Sequence, residues 1–188
     1  GTDDFLEVAD NALLQFEAGT NYTLLMVSRR WATHVAWSRF MMKGTAGVNR
    51  WSLLHNDLEA SVYLDVGDGT LSSNTNGTRQ TYTYGALTSI TAGKSSNQLG
   101  TSLDNIFSGT VTDVTTGTVG ATGVMRIGAT PSGSNFDDME VVAAAIWRRA
   151  LTAAEIYEIN TFYRTPVGNI ALDGDNVILN GDNVVLTP

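Results

Sequence analysis

An all-β fold of sandwich or barrel type is what this sequence predicts, and three observations predict it. Apolar residues make up 43% of the 188, charged residues only 16%, and 19 Gly accompany many Thr, Ser and Asn. A helical bundle would be rich in Glu, Lys, Ala and Leu, and a disordered chain would be poor in aromatic and β-branched residues. Residues 58–66 alternate: Leu58, Ala60, Val62, Leu64 and Val66 fall on one face, and Glu59, Ser61, Tyr63 and Asp65 on the other. Period two is the signature of a strand with a core side and a wet side. Segments of this kind then recur along the chain with Gly, Asn and Ser between them, the spacing of a sandwich or barrel.

Taken in order, the expected strands are residues 5–8, 22–28, 35–42, 51–55, 58–66, 80–84, 88–92, 110–114, 123–127 and 139–147. Gly67-Asp68-Gly69 ends the clearest of them, and 72–77 reads as a polar loop. One helix follows the last strand. Thr152 is its N-cap and Glu155 stands at N3, the capping box that satisfies two backbone N–H groups. Leu151 and Ile156 can staple its start, and Ile156, Ile159 and Tyr163 share a face suited to packing on the sandwich edge. Pro166 excludes continuation.

The C-terminus has its own rhythm. Leu172-Asp173-Gly174-Asp175-Asn176-Val177-Ile178 is followed by Leu179-Asn180-Gly181-Asp182-Asn183-Val184-Val185, a seven-residue repeat of tight turns and short apolar strands. Such a ribbon is too small to stand alone. The chain therefore divides into a sandwich over 1–165 and a ribbon over 166–188, an assembly or docking tail that contacts protein neighbours through 169–188 or another copy in a homo-oligomer.

Eleven basic against 19 acidic residues give a net charge of −8. Phosphate binding needs a basic surface, so nucleic acid is an unsuitable partner, and so is an anionic membrane. No apolar run reaches membrane-spanning length. Without Cys there is no disulfide, thiolate nucleophile or thiolate metal site. Gly1 at the start implies processing or a longer parent chain.

From Phe136 to Ile156 the segment Phe-Asp-Asp-Met-Glu-Val-Val-Ala-Ala-Ala-Ile-Trp-Arg-Arg-Ala-Leu-Thr-Ala-Ala-Glu-Ile resembles the last strand and helix of laminin-G-like, concanavalin A-like lectin and glucanase jelly rolls. Asp3 to Asn11 is similar to that family's opening strand, 21–27 to the next, and Arg126-Ile127-Gly128 to the turn before the final loop. The middle departs: Tyr84-Gly85-Ala86-Leu87 stands where the family commonly has a Trp-His pair. The resemblance covers residues 1–163. It implies a two-sheet antiparallel jelly-roll sandwich with one short helix after the last strand. It also implies a structural calcium, with Asp3, Asp4, Asp137 and Asp138 at the matching positions. Asp carboxylates are suitable hard ligands, and adjacent Asp in a turn are equally ordinary turn chemistry.

Glycosidases need two carboxylates across a scissile bond. Glu59 and Asp65 share a face but stand six residues apart, too far for a retaining pair. His34 and His55 fall in no zinc spacing and near no nucleophile elbow. Sugar recognition needs aromatic rings for the apolar sugar face and amides or carboxylates for its hydroxyls. Trp31, Trp37, Tyr82 and Tyr84 are the aromatic candidates, with Asn74, Asn76 and Asn97 as polar partners. Trp37, Trp51 and Trp147 lie within strand patterns that favour the core, and Tyr82 and Tyr84 share a strand face that suits either core or platform. The expected function is a non-enzymatic recognition or adhesion module for glycans, extracellular or on a virion surface, such as a bacteriophage head or tail decoration. A purely structural decoration protein and a polysaccharide-cleaving hydrolase or lyase are the alternatives.

Overall fold

The computed structural model describes residues 5–34, 38–45, 48–56, 60–120, 122–130, 137–164, 171–173, 176–179 and 182–184. Its first strands are β1 (Leu6–Val8), β2 (Tyr22–His34), β3 (Arg39–Gly44), β4 (Asn49–Asn56) and β5 (Ser61–Asp68). Then come β6 (Ser72–Asn74), β7 (Gln80–Thr81), β8 (Leu87–Ser95), β9 (Gln98–Leu103) and β10 (Ile106–Thr112). β11 (Met125–Ile127) and β12 (Asp137–Trp147) lead to helix α1 (Ala153–Arg164), and β13 (Ala171–Asp173), β14 (Asn176–Leu179) and β15 (Asp182–Val184) close the chain. Two antiparallel sheets form a jelly-roll sandwich. One runs β1-β11-β3-β4-β5-β6 with β7 also on β5, and the other runs β10-β9-β8-β2-β12.

The core lies where the two inner faces meet. Leu24 and Met26 of β2 and Ile90 and Ala92 of β8 face Trp51 and Leu53 of β4 and Leu64 and Val66 of β5. Trp51 is central: its Nε1–H donates to the Leu14 carbonyl at 2.8 Å, so the buried indole keeps no polar debt. Gly120 permits this position. Its φ is +66°, and a Cβ there would lie 2.6 Å from Trp51 Cδ1. Phe16 stacks on Tyr22 with ring centroids 4.1 Å apart.

Two hairpins shape the second sheet. Ser96 and Asn97 join β8 to β9, Asp104 and Asn105 join β9 to β10, and all four have positive φ. Paired positive-φ residues make the type I′ turn, whose twist matches that of the strands. The Asp104 carboxylate accepts the Ser89 N–H at 2.8 Å and fixes the second turn.

The structure alters several expectations. β9 was not foreseen, and β6 lies inside the expected polar loop. The outer face of β5 is not wet: Ser61 is fully buried and Tyr63 nearly so. Arg50 lies on that face and grips Asp65 at 2.7 and 2.9 Å, while Arg39 sits close enough to Tyr63 and Asp65 to feel both. Long guanidinium stems therefore cover the strand, and burial pushes the Arg39 guanidinium below its ordinary value. Helix α1 starts with the foreseen capping box. The Thr152 N–H donates to Glu155 at 2.7 Å and the Glu155 N–H to the Thr152 hydroxyl at 3.2 Å. The helix lies over the outer face of β8 rather than on the sandwich edge, because buried Asn160 meets the Ser89 hydroxyl and donates to Asn105 at 2.5 Å. In the C-terminal repeat, β13, β14 and β15 pair antiparallel with Leu172 opposite Val177 and Val177 opposite Val184.

Candidate functional site

A groove opens on the outer face of the second sheet. Alternation along β8 sends Ile90 and Ala92 into the core and leaves Thr91 and Gly93 facing outward. On β9 the same rule turns Leu99 and Leu103 inward and Gly100 and Ser102 outward. Register places Thr91 opposite Ser102 and Gly93 opposite Gly100. The floor is thus two hydroxyls beside two glycines. Phe107 of β10 forms one wall, and Leu151 and Ile156 at the start of α1 form the other. The groove holds about 350 Å³.

Phe107 is 59% exposed, and its ring edge rests on Gly100, where a Cβ would meet it at 2.8 Å. Only glycine lets the ring lie this low. A register shift in β10 between Phe107 and Thr110 sets the ring apart from the regular ladder. Thr91 and Ser102 are 5% and 7% exposed, yet neither Thr91 Oγ1 nor Ser102 Oγ has a hydrogen-bond partner among the described residues. A buried hydroxyl without a partner costs about 1–3 kcal/mol. Two such groups lie side by side on the groove floor, beneath an exposed aromatic ring.

The groove is electrically quiet. Its described lining has no carboxylate and no guanidinium, and its one cation, Lys94, points the other way. Lys94 Nζ lies 2.7 Å from Asp113 Oδ2 inside the sandwich and also donates to the Ala18 carbonyl. Asp113 in turn accepts from the Thr115 N–H and hydroxyl at 2.9 and 2.8 Å. Near this pair, burial first and the Asp113 charge second push the Tyr22 phenol well above its ordinary value.

The residues expected to bind from sequence do not form one site. Trp31 is 44% exposed with the Arg29 guanidinium 5.9 Å from its ring. It shares the outer face of β2 but stands six residues beyond Leu25, the partner of Thr91, or ~20 Å along the strand. Tyr82 is a core residue rather than a stacking platform. It is 7% exposed, takes a hydrogen bond from buried Arg30, and its hydroxyl lies 2.9 Å from His55 Nδ1. Arg30 also donates to Ser38 at 2.5 Å, and Tyr84 half-buries beside Tyr82 with ring centroids 5.5 Å apart. This buried guanidinium draws both tyrosines between the sheets, where their rings lie 6.0 and 5.9 Å from it.

Asn74 and Asn76 belong to the other sheet's edge and serve the local turn. Asn74 accepts the Asn76 N–H at 3.2 Å, and Asn76 accepts from Arg79 at 3.1 Å. Asn97 is a hairpin residue at φ +64°. Trp37 lies outside the described residues.

Of the carboxylates implied as calcium ligands, Asp3, Asp4 and the Asp137 side chain lie outside the described residues, and Asp138 is exposed. No group of three or more His, Asp or Glu that could hold a metal ion occurs among the described residues. Asp68 is the best-ligated carboxylate there. It accepts the N–H groups of Leu71, Thr70, Gly117 and Thr116, which hold it far below the ordinary carboxylate range. Those bonds occupy its oxygens and clip two loops together.

Phe107, Thr91 and Ser102 escaped the sequence reading. The one signal was the interleaving of Leu99, Thr101 and Leu103 with Gly100 and Ser102, a strand whose outward positions are all small.

Comparison with known proteins matches the fold. The chain superposes on the Ruminococcus gnavus IT-sialidase CBM40 with a TM-score of 0.61 at 12% identity, over 84% of this chain and 96% of that one. It has the jelly-roll fold. Domain 4 of AbnA, a GH43 extracellular arabinanase from Geobacillus stearothermophilus seen with arabinotriose, matches at 0.60 and 12% identity, over 77% and 68%. The botulinum neurotoxin serotype G binding domain matches at 0.67 and 8% identity, over 84% of this chain and 40% of that one. The chain thus spans about two fifths of the toxin binding domain's length. A family model described as "Uncharacterized protein conserved in bacteria (DUF2059)" matches residues 137–180. No curated protein matches the chain in sequence.

Proposed function

We propose that this protein is a non-enzymatic carbohydrate-binding module whose ligand lies in the groove between Phe107 and α1. The observation that carries the reading is the pair of buried, unpartnered hydroxyls of Thr91 and Ser102 beneath an exposed aromatic ring. Sugar rings offer the complement: an apolar face for Phe107 and hydroxyls for the floor. The fold adds support, since one structural neighbour is a carbohydrate-binding module and another was seen with arabinotriose. A cleaving enzyme has less behind it. Asp65, one of the two carboxylates considered for that role, is held on both oxygens by Arg50.

We further propose an exterior location, secreted or on a virion surface such as a bacteriophage head or tail, with 169–188 docking neighbours. The three paired strands of the repeat support that role, because a sheet edge can take up a further strand from a neighbour. They also favour the second reading, a decoration protein without a ligand. A glycan array followed by calorimetry separates the two. Saccharide binding that is lost in Phe107→Ala and kept in Trp31→Ala supports the groove. Loss in Trp31→Ala alone moves the site to the far end of β2. An array with no saccharide bound, together with an oligomer that dissociates when 169–188 are deleted, supports decoration.

A further inference from the structure

We infer that the groove selects uncharged sugars presenting two neighbouring hydroxyls and discriminates against acidic ones. The inference rests on the carbohydrate-binding reading and specifies its ligand class. An acidic sugar brings a carboxylate that must shed water to enter. Desolvation of an ion is repaid only by an opposite charge or a dense set of donors. The described lining offers neither. Lys94 is turned inward onto Asp113. Arg149 stands beside the lining residue Ala150, but its guanidinium is engaged by both oxygens of Glu155 at 3.0 and 2.6 Å. Arg29, further along the same face, pairs with Glu140 at 2.6 Å. The chain's net charge of −8 adds a repulsive field.

What the lining does offer suits a diol. Thr91 and Ser102 are directly opposed in register, so their side chains stand about 5 Å apart. Each hydroxyl can donate once and accept twice. Two adjacent sugar hydroxyls can bridge the pair and satisfy both. A carboxylate can only accept, and two neutral hydroxyls do not replace its water. Gly100 lets the Phe107 ring edge rest on the strand, which leaves the exposed part of that ring for the apolar face of a sugar.

The test is calorimetric titration of the wild-type protein with neutral arabino-, gluco-, galacto- and manno-oligosaccharides, and with sialyllactose and oligogalacturonate. The expected result is a neutral series bound on the order of tenfold or more tighter than either acidic sugar. The gap should persist at high salt, since a missing partner, unlike a long-range field, is not screened. The double variant Thr91→Val/Ser102→Ala should lose about tenfold for the neutral ligand with its circular dichroism unchanged. Ser95→Lys, which puts an ammonium on the rim, should raise affinity for the acidic sugars. Acidic sugars bound as tightly as neutral ones, and lost in Phe107→Ala, overturn this inference and leave the carbohydrate reading standing. Binding of neither class, or binding indifferent to Phe107→Ala, overturns both.

Discussion

Replacing Asp113 by Ala strands a charge inside the sandwich. The Lys94 and Asp113 side chains are 3% and 2% exposed, and their contact at 2.7 Å is the ammonium's ionic partner. After the change Lys94 keeps only its bond to the Ala18 carbonyl. Thr115 loses the acceptor of both its N–H and its hydroxyl. Breaking one half of a buried ion pair costs about 3–5 kcal/mol. A domain of this length is stable by only about 5–15 kcal/mol in total. The melting temperature should therefore fall by roughly 6–20 °C, at ~2–4 °C per kcal/mol. Chemical denaturation followed by Trp fluorescence measures the loss directly. Lys94→Met/Asp113→Asn removes the charge and keeps an amide oxygen for Thr115, so it should recover at least half of it. The reasoning fails if Asp113→Ala stays within about 1 kcal/mol of wild type, or if the double variant is no better than the single one.

Other outcomes follow from the same geometry. Phe107→Ala should abolish measurable saccharide binding by calorimetry while shifting stability by less than about 1 kcal/mol, because the ring is 59% exposed. Gly120→Ala should cost about 2–5 kcal/mol in denaturant unfolding and change Trp51 emission, since it combines a left-handed backbone with a methyl driven into the indole. The helix cap should be acid-sensitive. Arg149 first, and then Thr152, lower the Glu155 carboxyl from 4.5 to about 2. Its contribution is complete above about pH 4.5 and fades as the pH falls towards 2. The Thr152 and Glu155 amide resonances should report that fading, and Glu155→Gln should remove the pH dependence. Trp31→Ala should leave affinity in the groove unchanged.

The sandwich was legible because 58–66 alternates apolar and polar residues with the period of a strand, although the structure buries Ser61 and Tyr63 of the polar face as well. β9 was not, because Gly100 and Ser102 supply its outward positions and break the apolar signal that marks a strand. The start of the helix was legible from Thr152 and Glu155, since a capping box is local chemistry. Where the helix rests depends on Asn160 meeting Ser89 and Asn105, a contact across distant parts of the chain. Tyr82 shows a further limit. Its place between the sheets is dictated by Arg30, a residue whose charge argues for the surface until the fold supplies its partners. The groove needed four separate segments to meet, and none carries a motif of its own.

β8 and β9 present two sets of residues that share a backbone and little else. Ile90, Ala92, Leu99 and Leu103 answer to the core; Thr91, Gly100 and Ser102 line the groove. Substitution in one set need not disturb the other. A small library at Thr91, Ser95, Ser102 and Phe107 could therefore diversify recognition on an unchanged scaffold, as variable loops do elsewhere, with the variation carried by strands instead.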